Sequence, residues 1–359
     1  VQELREVVPH QRDATSETGE VNLRDHLKAS FPSGRTTALA LAGVLLLGAA
    51  CGSDDEGDDS TAQPATGGSE TLGDDSNDAA ATVDDTTNEA GAQPDAALDP
   101  QRVVAVEGRA PLDHALALGL PVIGHGFEAS PFLDDAIRDA GGVDPLWDGD
   151  VNLEAIAAAD PDLIISRERF SEEFGEELQE IAPVFAPSYD EPWQDISEAL
   201  SQLTGTTDEH AALIDIYDAR VAEIARERSD VLDQPILHMQ PWAGDGTYVF
   251  DDGWLPGQLI TAVGGTLSNS MQRVEEPSEL YSPENIDRAL EGAAAAILVV
   301  NNDDDVQSLD TNPLWTASEL ASQEMFVMHD TNVNLGGPIT VLAVLDIIDG
   351  LYAQLQEAS

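Results

Sequence analysis

Four arginines stand where the sequence places loops at the ends of predicted elements. Arg109 follows RVVAVE (102–107), Arg167 and Arg169 follow DLIIS (162–166), and Arg273 follows a helix and a double glycine. A guanidinium is a planar fork that gives paired hydrogen bonds, which suits oxyanion recognition. The rest of the chain gives this weight. The formal charge is −54 over 359 residues. From residue 101 onward about 49 acids face about 10 arginines, a net charge near −39. Four arginines converging in such a field would reverse it locally. The alternative reading pairs each with a neighbouring acid, for which Glu107, Asp144, Glu168 and Glu275 are candidates.

Aromatic and imidazole groups fall in the same predicted loops: His125, Phe127, Phe170, Tyr189, Trp193, Trp242, Tyr248 and Trp254. Trp242 directly follows the strand PILHMQ (235–240), Tyr248 falls in the hairpin-like GDGTYVFDDG (244–253), and His125 falls in the short strand PVIGHG (121–126). Such rings stack on flat groups or build core. Signals for catalysis are weak. No serine lies in a nucleophile-elbow sequence, there is no phosphate-binding loop, and His125, His238 and His329 are isolated. No HxxxH motif or cysteine pair suggests a metal cage made by the protein. Asp251-Asp252 and Asp303 to Asp305 read as solvated loops. NNDDD (301–305) lacks the glycine and distal glutamate of a calcium loop. The acidic surface makes nucleic acid and anionic membrane poor partners.

These residues must be held by a scaffold, and the scaffold repeats. FLDDAIRDA, then Gly141-Gly142, a loop and NLEAIAAADPDLIIS form one copy. LPGQLITAV, then Gly264-Gly265, a loop and SPENIDRALEGAAAAILVV form the second. Each predicts helix, glycine stop, loop, helix with a glutamate in its first turn (Glu154, Glu284), then buried strand. Two similar lobes facing each other make a cleft. Strands alternating with helices predict a doubly wound parallel α/β sheet, with ligand groups at the carboxyl ends of the strands. TDEHAALIDIYDARVAEIARERSDVL (207–232) has helical spacing with no glycine or proline, so it reads as the connector. The expected organisation is a lobe at 99–206, a connecting helix at 207–232 and a lobe at 233–359.

The first 98 residues read as an address. Arg24, Lys28 and Arg35 precede TTALALAGVLLLGAA (36–50), a short apolar run ending in small residues. This is the pattern of a secretory signal, too short for a comfortable transmembrane span. About twenty mixed polar residues precede the basic region, long for a signal, so a start downstream of Val1 is expected. Gly48-Ala49-Ala50-Cys51 resembles a bacterial lipobox, with Gly48 where a branched residue is usual. Cys51 is the chain's one cysteine and the expected lipidation site. Residues 51–98 are rich in Asp, Gly, Ala, Thr and Ser, which predicts a disordered tether to a lipid anchor on the outer face of the cytoplasmic membrane.

RVVAVEGRAPLDHALALGLPVIG, NLEAIAAADPDLIIS, SPENIDRALEGAAAAILVV and NPLWTASELASQEMFVMHD…NLGGP occur in this order. The ordered set resembles the substrate-binding proteins of ABC importers of the iron-siderophore and cobalamin class, and covers nearly all of 101–359. The resemblance implies two Rossmann-like lobes joined by one long helix, a ligand cleft between them and limited hinge motion. It implies a ferric siderophore as ligand, with cobalamin or haem as alternatives, no resident cofactor and no catalysis. A metal-dependent envelope enzyme is the alternative of another class. By position in NLEAI and SPENI, Glu154 and Glu284 would meet arginines of a permease dimer. A monomer is expected. The ligand groups expected in the cleft are Arg109, His125, Arg167, Arg169, Trp242, Tyr248 and Arg273.

Overall fold

The computed structural model describes residues 97–359 except 190 and 276. The signal, Cys51 and nearly all of the predicted tether lie outside the described residues.

The first half alternates strand and helix: β1 (Val103–Ala105), α1 (Ala110–Ala117), β2 (Val122–Gly126), α2 (Asp134–Asp139), β3 (Pro145–Trp147), α3 (Leu153–Ala158), β4 (Leu163–Ile165), α4 (Glu168–Ile181) and β5 (Val184–Phe185). Their order in the sheet is β3-β2-β1-β4-β5, every pair parallel. The two central strands are wholly apolar and buried because helices cover both faces. Each Val or Ile so buried stabilises the fold by about 1.5–3 kcal/mol before chain entropy is counted. The winding reverses between β1 and β4, the place where such sheets open a crevice at their carboxyl edge.

Two helices follow, α5 (Trp193–Thr204) and α6 (Thr207–Glu227). The connecting helix is shorter than the expected 207–232. It ends at Arg228, and residues 228–233 turn toward Pro235, which disfavours helix at Gln234. The second sheet comprises β6 (Ile236–Trp242), β7 (Gly246–Phe250), α7 (Leu255–Ala262), β8 (Ser278–Tyr281), α8 (Ile286–Ala289), β9 (Ala295–Val299), α9 (Asp303–Asp310), α10 (Pro313–Thr316), α11 (Glu319–Ser322), β10 (Phe326–His329) and α12 (Pro338–Ala358). Its order is β10-β9-β6-β7-β8. The side holding β6, β9 and β10 is parallel, but β7 runs antiparallel to both β6 and β8. This hairpin interrupts an otherwise parallel sheet. Three residues, Ala243 to Asp245, separate β6 from β7, and a connection that short can only return the chain antiparallel.

The two glycine pairs are alike in sequence and different in use. Gly141 and Gly142 both take left-handed backbone, with φ of 98° and 87°. In the second copy only Gly264 does, with φ of 79°. Gly265 is needed for space, since a Cβ there would strike the Tyr352 hydroxyl of α12.

The last helix ties the molecule together. Ten residues of α12 are buried, among them Val341, Val344, Leu345, Ile348 and Tyr352 in the largest apolar cluster. On its outer side Arg220 of α6 binds Asp346 and Asp349, and Arg228 binds Asp349 at 2.6 Å. Its amino end is capped from the first lobe. The buried carboxylate of Asp113, in α1, accepts from the N–H groups of Gly337 (3.0 Å), Ile339 (2.9 Å) and Thr340 (3.0 Å). These are the N–H groups that a helix cannot satisfy itself. Gly337 is glycine because Asp113 and His114 leave no room for a Cβ. Burial pushes the Asp113 carboxyl up to about 6, against the pull of its hydrogen bonds from Thr340, Ile339 and Gly337.

Candidate ligand-binding cleft

Two cavities open between the lobes. The first, about 320 Å³, lies at the reversal points of both sheets. Glu107 and Arg109 enter it from the loop after β1, and Arg167 from the loop after β4. Gln240 and Trp242 come from the end of β6, Asn301 from the loop after β9, and Thr331 and Asn334 from the loop after β10. The second, about 420 Å³, is lined by Tyr189, Glu191, Trp193, Asp251, Trp254 and Gln258 among others. Trp254, Asn334 and Leu335 are common to both walls. Each volume is in the range of small-molecule sites.

Of the arginines expected in the cleft, two reach it. Arg109 is exposed, and its side chain makes no ion pair or hydrogen bond among the described residues. Arg167 is half-buried, 3.3 Å from the Glu107 carboxylate, with its guanidinium 5.4 Å from the Tyr189 ring centre. The alternative of pairing with a neighbouring acid thus holds for Arg167 and not for Arg109. Arg169 lies over the Phe170 ring at 4.4 Å and is not in either wall. Arg273 is not in the cleft. It sits in a 3₁₀ turn of the second lobe, 3.2 Å from Glu291 and 3.4 Å from the Arg288 carbonyl, because the loop after the second glycine pair runs away from the carboxyl edge.

The aromatic expectations divide likewise. Trp242 remains 46% exposed at the cavity mouth, a large ring left uncovered by its own protein. Tyr248 meets it edge-on at 6.3 Å and supports it from β7 without lining either cavity. His125 is buried in β2, and its Nδ1 donates to the Phe127 carbonyl at 3.0 Å. It fastens the chain after β2 and is absent from both cavity walls.

Some groups were not legible as site residues. Asn334 is buried, and its Oδ1 accepts from Nε2 of the wholly buried His238 at 2.9 Å. With Asn334 Oδ1 as the acceptor, the His238 ring carries its proton on Nε2. Burial lowers the His238 pKa to about 3, so it stays neutral; its ring stacks on Phe250 at 4.4 Å. Asp305, expected in a solvated loop, is buried at 2% exposure. Its carboxylate accepts from the N–H groups of Ala243 and Asn301, both at 3.0 Å, and so fixes the loop that carries Trp242. Asp251, likewise expected in solvent, lines the larger cavity. Among the described residues no three His, Cys, Asp or Glu side chains are grouped to hold a metal ion.

The two repeat glutamates are both exposed, and neither has an ion pair or hydrogen bond among the described residues. Glu154 lies in the first turn of α3, where Asn152 caps the Ala155 N–H at 3.0 Å. Glu284 lies in a 3₁₀ turn just ahead of α8 rather than within a helix. Both follow strands, β3 and β8, that run parallel to the central strand of their sheet, so both leave at the cleft edge.

A family model described as periplasmic binding protein matches residues 104–328, from β1 to β10. The chain belongs to that family. It is a family of substrate-binding transport proteins rather than enzymes. This binding protein is 26% identical over 190 residues to the probable siderophore-binding lipoprotein YfiY of Bacillus subtilis. That match spans 52% of this chain and 56% of the other, little more than half of each. Among solved structures it is similar to FhuD2 from Staphylococcus aureus with bound ferrioxamine B, with a TM-score of 0.59 at 16% identity, covering 70% of this chain and 98% of that one. It is also similar to the triscatecholate siderophore-binding protein FeuA from Bacillus subtilis complexed with ferri-bacillibactin, with a TM-score of 0.58 at 17% identity, covering 70% and 92%. At these identities the likeness shows the two-lobed fold.

Proposed function

We propose that the protein captures a ferric siderophore between its lobes and hands it to the permease of an ABC importer. The observation that carries this reading is Arg109. In a domain with a net charge near −39 it stands unpaired at the reversal point of the first sheet, beside the amide groups of Gln240, Asn301 and Asn334. A chelate presents oxygens all around its iron, to which the Arg109 guanidinium and the Gln240 and Asn334 amides can donate. Trp242 offers a flat apolar face beside them. The name of YfiY and the ligands bound by FhuD2 and FeuA support the choice of ligand. Iron here is cargo, held by its chelator.

Delivery rests on Glu154 and Glu284, two unpaired acids placed alike on the two lobes and suited to cationic side chains of a two-fold permease. Lipidation at Cys51 would keep the protein beside that permease at the outer face of the membrane. The test is the tryptophan emission of the full chain titrated with ferric chelates, cobalamin and haem. Trp193, Trp242 and Trp254 line the cavities, so saturable quenching by a ferric chelate is expected. A response to cobalamin or haem alone would reassign the ligand, and no response to any of them would end the reading.

A further inference from the structure

The two cavities differ in charge. The smaller has Arg109, and an Arg167 already neutralised by Glu107. The larger has Glu191 and Asp251 in its wall and no basic residue among its described lining. The described walls together therefore carry more acid than base. Two tryptophans, Trp193 and Trp254, flank the acids. Tyr189, from the same wall, has a buried hydroxyl with no hydrogen-bond partner among the described residues.

Ferric chelates differ in charge by chemical class. Three hydroxamates, each bearing one negative charge, neutralise Fe(III). Three catecholates, each bearing two, leave a strongly anionic complex. An anion of that kind would need a basic lining, and the one unpaired arginine does not provide it. A cation, by contrast, gains in the larger cavity both from the carboxylates and from the indole faces.

Resting on the reading of the cleft as a ferric-chelate site, we propose that it selects by charge: it takes a neutral ferric trihydroxamate that carries a cationic amine. The chelate core sits against Arg109, Asn334 and Trp242. The amine extends into the larger cavity toward Glu191 and Asp251. Trp254 and Asn334 lie in both walls, so the two compartments adjoin.

The test uses the full chain and three probes in the same fluorescence titration: ferrioxamine B, its N-acetylated form, and a ferric tris-catecholate. Removing the amine charge by acetylation is expected to weaken binding about tenfold, and the tris-catecholate to bind more weakly than either. Glu191→Gln with Asp251→Asn should abolish the preference for the free amine over the acetylated form. Asn at 251 can still accept the Gly253 N–H that Asp251 accepts at 3.0 Å, so the loop is kept. Equal affinity for the two trihydroxamates, an unchanged preference in the double variant, or tighter binding of the tris-catecholate would each overturn the charge selection while leaving a ferric-chelate protein. Silence toward all three chelates would overturn the underlying reading instead, and the selection with it.

Discussion

The two sheets bring different chemistry to the same place. At the reversal point of the first, β1 and β4 end in charged residues, Glu107, Arg109 and Arg167. At the reversal point of the second, β6 and β9 end in an amide, an indole and another amide, Gln240, Trp242 and Asn301. In this smaller cavity the first lobe supplies charge and the second supplies shape and neutral hydrogen bonding. Backbone topology fixes where a ligand group can stand, and leaves its chemistry free to diverge. The repeat glutamates are the counterexample, since there the lobes keep the same group at corresponding positions.

That exception gives the sharpest break. Glu154→Arg combined with Glu284→Arg should reduce uptake of the ferric chelate into cells to background. Binding of the purified protein should stay within about twofold, because neither residue lines the cleft. Normal uptake would remove the functional symmetry of the lobes.

The next effect concerns the join between them. Asp113→Ala leaves three N–H groups at the start of α12 without their acceptor and should cost about 3 kcal/mol in urea unfolding. A loss under about 0.5 kcal/mol would mean the cap contributes little. The same residue has a pH signature. Its carboxyl holds a proton more tightly in the folded chain, with a pKa of about 6 against the ordinary 3.8. The native state therefore binds more protons than the unfolded chain between those values, and this contribution to stability falls as pH rises from about 4 to about 6. The stability of the wild type minus that of Asp113→Asn should show that downward slope. A flat or rising difference would contradict it.

The smallest effects sharpen the contrast of charge with shape. Arg109→Ala and Trp242→Ala should each weaken ferric chelate binding by about tenfold. Added salt should shrink the arginine effect and leave the tryptophan effect intact. Equal salt sensitivity would erase the division of labour between the sheets.

Much of this was legible in the sequence. Apolar runs such as LII and AAILV mark strands covered on both faces, and the repeat marks the two lobes. Arg109, Arg167 and Trp242 could be placed because a strand end is a local feature. What was not legible depended on long-range contact. Arg273 follows a glycine pair as a site residue would, yet its loop leaves the cleft edge. Asp305 looks like one acid of a solvated run, and only the approach of the Ala243 N–H makes it a buried anchor. Asn302 before it was a readable signal, an asparagine whose side chain caps the Asp305 N–H. Asn334 gains its place from His238, a partner 96 positions away that no spacing rule connects.

Asp113 also bears on how the molecule comes apart. The start of the final helix is completed by a residue synthesised more than two hundred positions earlier. Until the first lobe has formed, α12 begins with bare donors, and until α12 has docked, the second sheet lacks its main apolar cover. The lobes are thus bound into one cooperative unit, and neither is an independent module that could be cut out and expected to stand. A chain severed between the lobes would part the start of α12 from the carboxylate that caps it.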